Sequence, residues 1–213
     1  MIEAGTVWVV VLDLDARPDV DHLEALPTED LAVAAHIADP QRRSRFLAAR
    51  SRVRIELGRA VGRPPADVTI RRGRNGKPEV AGAAMHFSVS ARDAACAIAI
   101  SSAHPVGVEL ARVPDRTPVP VLRQILPPRA RAAVLAADPD EQPREFALWW
   151  CRVEAAVRAC GAGLDEAATC LDTVPQEARV VGPDLVAAVA VAHRSAPLDG
   201  VSWRLEVLAG AAR

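Results

Sequence analysis

The sequence predicts an α+β fold made of a pseudo-twofold pair of similar α+β halves, residues 1–104 and 105–213, with a cleft between them. Three observations predict it. Two apolar, β-branched runs, VWVVVLDLD from Val7 and PVGVELARV from Pro105, each carry an acid late in the run and read as buried strands. The segments HIADPQRRSRFLAARSRVRIELGRAVG and LAADPDEQPREFALWWCRVEAAVRACGAG both pass through Asp-Pro and a charged stretch to Phe46 or Phe146. Each then continues as a long amphipathic helix that closes on Gly62 or Gly161. After each helix the chain turns to alternating, strand-like material.

The second copy carries one inserted residue, and the register from the phenylalanines pairs Val53 with Val153 and Arg54 with Glu154. Two copies are too few for a solenoid, so a pair enclosing a cleft is expected. The remaining elements follow in order. DVTIRRGRNGKPEV gives two short extended runs about Asn75-Gly76, a dipeptide suited to the positive φ of a hairpin turn. HFSVSARDAACAIAIS supplies further strands, PPRARAAVLAADPDEQP a short helix and loop, and EARVVG, LVAAVAVAHRS and VSWRLEVLA the strands of the second half.

Composition narrows the function classes. A chain of 213 residues, 50% hydrophobic, can bury a real core, and a net charge of −1 gives no global field toward nucleic acid or membrane. An arginine-rich helix without interleaved aromatics also argues against a nucleic-acid partner. No apolar run is long enough to span a bilayer, and the first residues lack a basic n-region, so a cytoplasmic location is expected. Cys96, Cys151, Cys160 and Cys170 have no CxxC spacing and read as buried free thiols.

Lys77 is the only lysine, and it lies beside Arg71, Arg72 and Arg74; a second basic cluster, Arg42, Arg43, Arg45, Arg50, Arg52 and Arg54, opens the first long helix. Two such clusters suit a small ligand with several phosphates; a solvated surface is the alternative. Arg43, Arg50 and Arg54 are the subset whose spacing puts them near one face. Two carboxylates stand out, Glu109 in VGVELA and Glu154 in WWCRVEAAVRACGAGL, because an ionised acid among apolar neighbours needs a cation or a metal. If strand and helix pack together, the two acids face one another and suit Mg²⁺, which takes a few carboxylates and keeps its waters. A Glu154–Arg158 ion pair at i, i+4 is the plainer alternative.

The ordered set GRNGKP, HFSVS, HPVGVEL and WCRVEAAVRACGAGL resembles the 4′-phosphopantetheinyl transferases of the long, monomeric, two-half type, over about Arg42 to Leu164. The resemblance implies an enzyme that takes coenzyme A as substrate and, with Mg²⁺, moves its phosphopantetheine arm to a serine of an acyl or peptidyl carrier protein, as in polyketide or nonribosomal peptide biosynthesis. It implies Glu109 and Glu154 as metal ligands, Lys77 and Ser90 as coenzyme A contacts, and Glu154 and Arg158 as catalytic groups; Arg43, Arg50 and Arg54, the arginines near one helix face, are the further candidates for coenzyme A contacts.

The sequence departs from the family pattern at several of these positions. Glu109 stands for an aspartate and Ala111 for a second acid, Ala91 for a histidine, Val153 for a lysine, and Arg158 for another lysine. Neither Ala91 nor Val153 can donate the charged hydrogen bond to phosphate that the family residue would make, an interaction worth about 1.5–3 kcal/mol. Arg158 keeps a charge but cannot serve as a base. The departures leave an alternative, a member of the fold that binds or catalyses another step without transferring phosphopantetheine. For a carrier protein, residues 117–134 offer a basic and apolar dock, with exposed-looking Val121, Leu122 and Ile125 beside Arg123, Arg129 and Arg131; that these apolar residues belong to the core is the alternative, since helical spacing suits both.

Overall fold

The computed structural model describes residues 6–15, 26–73, 76–192 and 201–205. It is an α+β fold, as expected. In chain order it holds β1 (Val7–Asp13), α1 (Thr28–Ala35), α2 (Pro40–Val61), β2 (Ile70–Arg72), β3 (Pro78–Val80), β4 (His86–Arg92), β5 (Ala95–Ser101) and β6 (Val106–Arg112). These are followed by α3 (Val119–Ile125), α4 (Pro128–Ala136), α5 (Gln142–Cys160), α6 (Ala167–Thr173), β7 (Gln176–Gly182), β8 (Leu185–Val191) and β9 (Val201–Leu205).

The strands form two larger sheets and a small hairpin. One sheet has the order β4-β5-β1-β9, the other β6-β8-β7, and β2 pairs with β3 alone. In the first sheet β1 runs antiparallel to β5 and parallel to β9, so the chain's last described strand returns to its first. In the second, β8 is antiparallel to both neighbours.

Alternation along these strands builds the layers. On β1, Val10 and Leu12 pack with Ala48, Val53 and Leu57 of α2, while Val7, Val9 and Val11 face the other way, toward Val106, Val108 and Leu110 of β6. On β8, Val186, Ala188 and Ala190 meet α5, and Ala187 and Val189 join the layer between the sheets. The order is therefore helix, sheet, sheet, helix. A strand buried on both faces explains why VWVVVLD and LVAAVAV are nearly continuous apolar runs.

Both long helices end on a left-handed glycine, Gly62 at φ 70° and Gly161 at φ 68°, as the sequence indicates. Their starts differ. Asp39 caps α2 by accepting from the Arg42 N–H at 2.8 Å, whereas Asp138 precedes α5 by a full turn and offers only its backbone carbonyl, to Glu141 and Gln142. The β2–β3 loop closes through a Gly73 N–H to Lys77 carbonyl bond of 2.8 Å, with Gly76 at φ 74°; Arg74 and Asn75 lie outside the described residues.

Candidate functional site

The acids expected to matter come from β6 and α5, and one glycine brings these elements into contact. A Cβ placed on Gly107 would fall 2.0 Å from the Ala155 carbonyl oxygen and 2.6 Å from the Ala159 nitrogen, so only glycine lets the α5 backbone lie against the strand. Two residues on, Glu109 points to the same side of β6 and is 4% exposed. Glu154 reaches the same region from α5 and keeps more of its surface open.

Arg158 stands between them. Its Nη2 is 2.8 Å from Glu109 Oε2, and its Nε is 3.7 Å from Glu154 Oε2. The first contact is an ion pair by distance but is out of line for a hydrogen bond, and Glu109 Oε2 is buried with no hydrogen-bond partner. Arg92 approaches the other oxygen at 3.9 Å. Burial pushes the Glu109 carboxyl above the ordinary carboxylate range; the nearby Arg158 charge and a hydrogen bond from Ser90 pull the other way, and the Glu154 charge adds to the rise.

Ser90 also joins the two sheets. The hydroxyls of Ser88 and Ser90 on β4 accept from the backbone N–H groups of Val108 and Leu110 on β6, at 3.1 and 3.2 Å. Small hydroxyl side chains thus satisfy the β6 backbone across a gap that a sheet ladder does not bridge. Arg158 adds a weaker link, its Nη1 lying 3.4 Å from the Val89 carbonyl.

Lys77 is placed differently from a free phosphate-binding cation. Its ammonium donates to the carbonyls of Val106 and Arg158, each at 2.9 Å, and of Ala159 at 3.5 Å. It therefore caps the C-terminal end of α5, where the helix dipole is negative, and ties the β2–β3 hairpin to the start of β6. Burial holds its pKa below the usual lysine value.

The arginines of α2 divide. Arg54 is buried, donates to the Val68 carbonyl and pairs with Asp30 at 3.3 Å, so it serves the fold. Arg43 donates to the Ile37 carbonyl at 2.9 Å. Arg50 stacks over the Phe46 ring at 5.2 Å and lies 3.5 Å from Asp30, with half its side chain exposed. The shared face predicted for the three is real only for the ends of the side chains that stay outside; Arg54 has turned in.

A groove links these pieces. A cavity of about 630 Å³ lies between α2 and β4, lined among others by Arg42, Arg45, Phe46, Arg50, Val89 and Ala91. Pro78, Phe87 and Val89 continue it into a smaller cavity of about 290 Å³ that touches Lys77, Ser88 and Arg158. Arg42, Arg45 and Arg50, with Asp93, line the wider cavity, Pro78, Phe87 and Val89 are shared by the two, and Arg158, which pairs with both acids, lines the smaller one.

The acids could hold a cation. Two carboxylates, one with an unpartnered buried oxygen, are the hard oxygen donors that Mg²⁺ takes. Among the described residues there is no cluster of three or more His, Cys, Asp or Glu side chains with metal-ligand placement, so waters and a ligand's oxygens would have to complete its shell.

On the proposed dock, Val121 is exposed but Leu122 is fully buried, which corrects the expectation that both lie on the surface: helix α3 turns one flank into the α5 core. Arg129 stacks on Trp149 and pairs with Asp172. Among the cysteines, Cys96, Cys151 and Cys170 are buried and Cys160 is exposed; burial raises Cys96 to about 12.

Sequence reasoning missed Gly107, Ser88 and Arg92. A glycine inside a strand run was a legible signal of close approach; Ser88 stands two residues before Ser90 in the HFSVS motif and so shares its strand face, whereas Arg92 had no signal, because its partner is distant in sequence. No helix among the described residues is long and apolar enough to cross a membrane. No family model matches the chain, and no curated protein matches it.

Proposed function

We propose that this chain is a phosphopantetheinyl transferase-like protein of two pseudo-twofold halves, which moves the 4′-phosphopantetheine arm of coenzyme A to a carrier-protein serine. The observation that carries the reading is convergence. Ser90 of β4, Glu109 of β6, and Glu154 and Arg158 of α5 come from three elements of both halves and meet around Arg158, which itself lines the smaller cavity. The two halves support the pairing by a common order: a strand (β1, β6), a long glycine-ended helix (α2, α5), and an antiparallel pair (β4–β5, β7–β8) that returns to the first strand.

In this reading Arg42 and Arg50 hold the nucleotide phosphates in the wider cavity, Arg45 being already held by two hydrogen bonds to Asp15, and the apolar lining takes the pantetheine arm. Ala91 also lines that cavity, where a longer polar side chain would have reached the ligand as well. Glu109 and Glu154 would hold Mg²⁺, which when bound neutralises pyrophosphate charge. The carrier serine oxygen forms a bond to the pantetheine-side phosphorus, and the bond from that phosphorus to the bridging oxygen breaks, releasing adenosine 3′,5′-bisphosphate. Glu154, the more open of the acids, takes the serine proton, and Arg158 stabilises charge on the leaving phosphate. Lys77 contributes by fixing the end of α5. Val119 and Val121, exposed on α3 beside Arg123, fit an acidic carrier protein.

One observation favours the alternative, a protein that binds coenzyme A without transfer: the guanidinium of Arg158 already lies in ion-pair range of both acids, and Lys77 is spent on carbonyls. Mass spectrometry of a carrier protein incubated with this chain, coenzyme A and Mg²⁺ separates them. A gain of one phosphopantetheine supports transfer. An unmodified carrier, with coenzyme A still raising the Tm of the chain, supports the binding protein. An unmodified carrier and an unshifted Tm overturn both.

A further inference from the structure

We propose that Arg158 is a resident cation in the Glu109–Glu154 pair, and that a divalent cation enters only by displacing its guanidinium. The inference rests on the metal reading of the two acids, not on phosphopantetheine transfer.

Geometry separates a fixed part from a movable one. The Glu109 side chain is 5% exposed and is held beside Ser90, whose hydroxyl is itself fixed by the Leu110 N–H. Arg158 is 41% exposed, lines the 290 Å³ cavity, and its nearest alternative acceptor is the Val89 carbonyl. Its grip on the acids is imperfect. One contact is close but out of line, the other is long, and Glu109 Oε2 stays without a hydrogen-bond partner. A guanidinium presents planar, forked donors, whereas two carboxylates converging from a strand and a helix ask for a compact ion with ligands on several sides. The oxygen that Arg158 fails to satisfy is one a divalent ion would bind. Arg92, at 3.9 Å and half exposed, leaves the competition to Arg158, because its charge is longer-range and more screened.

The test is calorimetric titration of the full chain with Mn²⁺ alone, no coenzyme A present, on wild type, Arg158→Gln, Arg158→Lys, and Arg158→Gln combined with Glu154→Gln. Circular dichroism checks folding. Removing the guanidinium is expected to tighten Mn²⁺ binding at least about tenfold, since a unit charge in contact with the ligands opposes a second cation strongly. The lysine variant, which keeps the charge but not the planar reach, is expected to fall between wild type and the glutamine variant. Loss of Glu154 is expected to cancel the gain. Equal affinity in wild type and Arg158→Gln overturns the proposal, as does a gain that survives loss of Glu154. A lysine variant indistinguishable from wild type beside a tighter glutamine variant also overturns it, since charge alone would then account for the effect. If Arg158→Gln does not fold, the lysine variant decides: affinity above wild type supports displacement, and affinity equal to it refutes it. A carrier protein that stays unmodified would leave these results standing, so the two readings fail separately.

Discussion

Position for position, Arg54 on α2 corresponds to Glu154 on α5, and the valines before them, Val53 and Val153, are both buried. The two charged residues fare oppositely. Arg54 is drawn inside, where Asp30 and the Val68 carbonyl take up its guanidinium. Glu154 remains partly exposed, in loose contact with Arg158. The difference lies in what each helix packs against. Beside α2, the preceding helix α1 supplies an acid at hydrogen-bonding range, and the turn before β2 supplies a carbonyl. Beside α5, the strand at the same place carries Gly107 and a second acid, so no basic side chain of the strand is there to consume Glu154. The same slot in a helix is structural where a neighbour of opposite charge is built in, and available for chemistry where the neighbour repels it.

The largest break in this comparison is expected from Gly107→Ala. The added methyl would overlap the α5 backbone, which cannot yield as a side chain can, and destabilisation of about 3 kcal/mol or more is expected by urea unfolding, with loss of coenzyme A binding. A full-stability variant with unchanged binding would mean that close approach of α5 to β6 does not build the site.

Arg54→Met should cost about 2 kcal/mol, because it leaves a buried carbonyl and part of the Asp30 carboxylate unpaired. Coenzyme A affinity, measured by calorimetry where the variant is fully folded, should hardly move. A variant as stable as wild type but weakened in binding would reverse the assignment of Arg54 to the fold.

Glu109→Gln sharpens the other half through pH. Burial raises the folded-state pKa of Glu109 above its unfolded value, so the folded chain holds this proton more tightly than the unfolded one. Its contribution is therefore most favourable at pH below the unfolded pKa and is lost as pH rises through the raised value. As pH rises above the ordinary glutamate value of about 4.3, the Tm of wild type is expected to fall relative to that of the glutamine variant. Parallel Tm curves would show that Arg158 and Ser90 fully offset the desolvation.

The smallest effect on stability is expected from Glu154→Gln, under about 1 kcal/mol, since its ion pair is long and its partner largely exposed. Its effect on ligand should be the opposite of small: the Mg²⁺ contribution to coenzyme A binding, read by calorimetry, should vanish. Unaltered Mg²⁺ dependence would return Glu154 to scaffolding, alongside Arg54.

By itself the sequence determined the α+β class, the strand runs buried on both faces, and both long helices with their glycine ends, because each rests on a local period or a local backbone requirement. It also singled out Glu109 and Glu154, since an acid in an apolar run is costly wherever the chain goes. Tertiary structure decided which polar groups were spent. Lys77 reads as a free cation from its neighbours in sequence, yet it closes on carbonyls of Val106 and Arg158, the latter 81 residues away. The helical spacing of Leu122 suits a docking face or a core face alike, and only the packing of α3 puts it in the core with α5. Arg158 reads as the i, i+4 partner of Glu154, yet its closer acid is Glu109 on the strand. In each case the competition is among partners distant in the chain and is settled by desolvation and distance, quantities that exist only once the layers have packed.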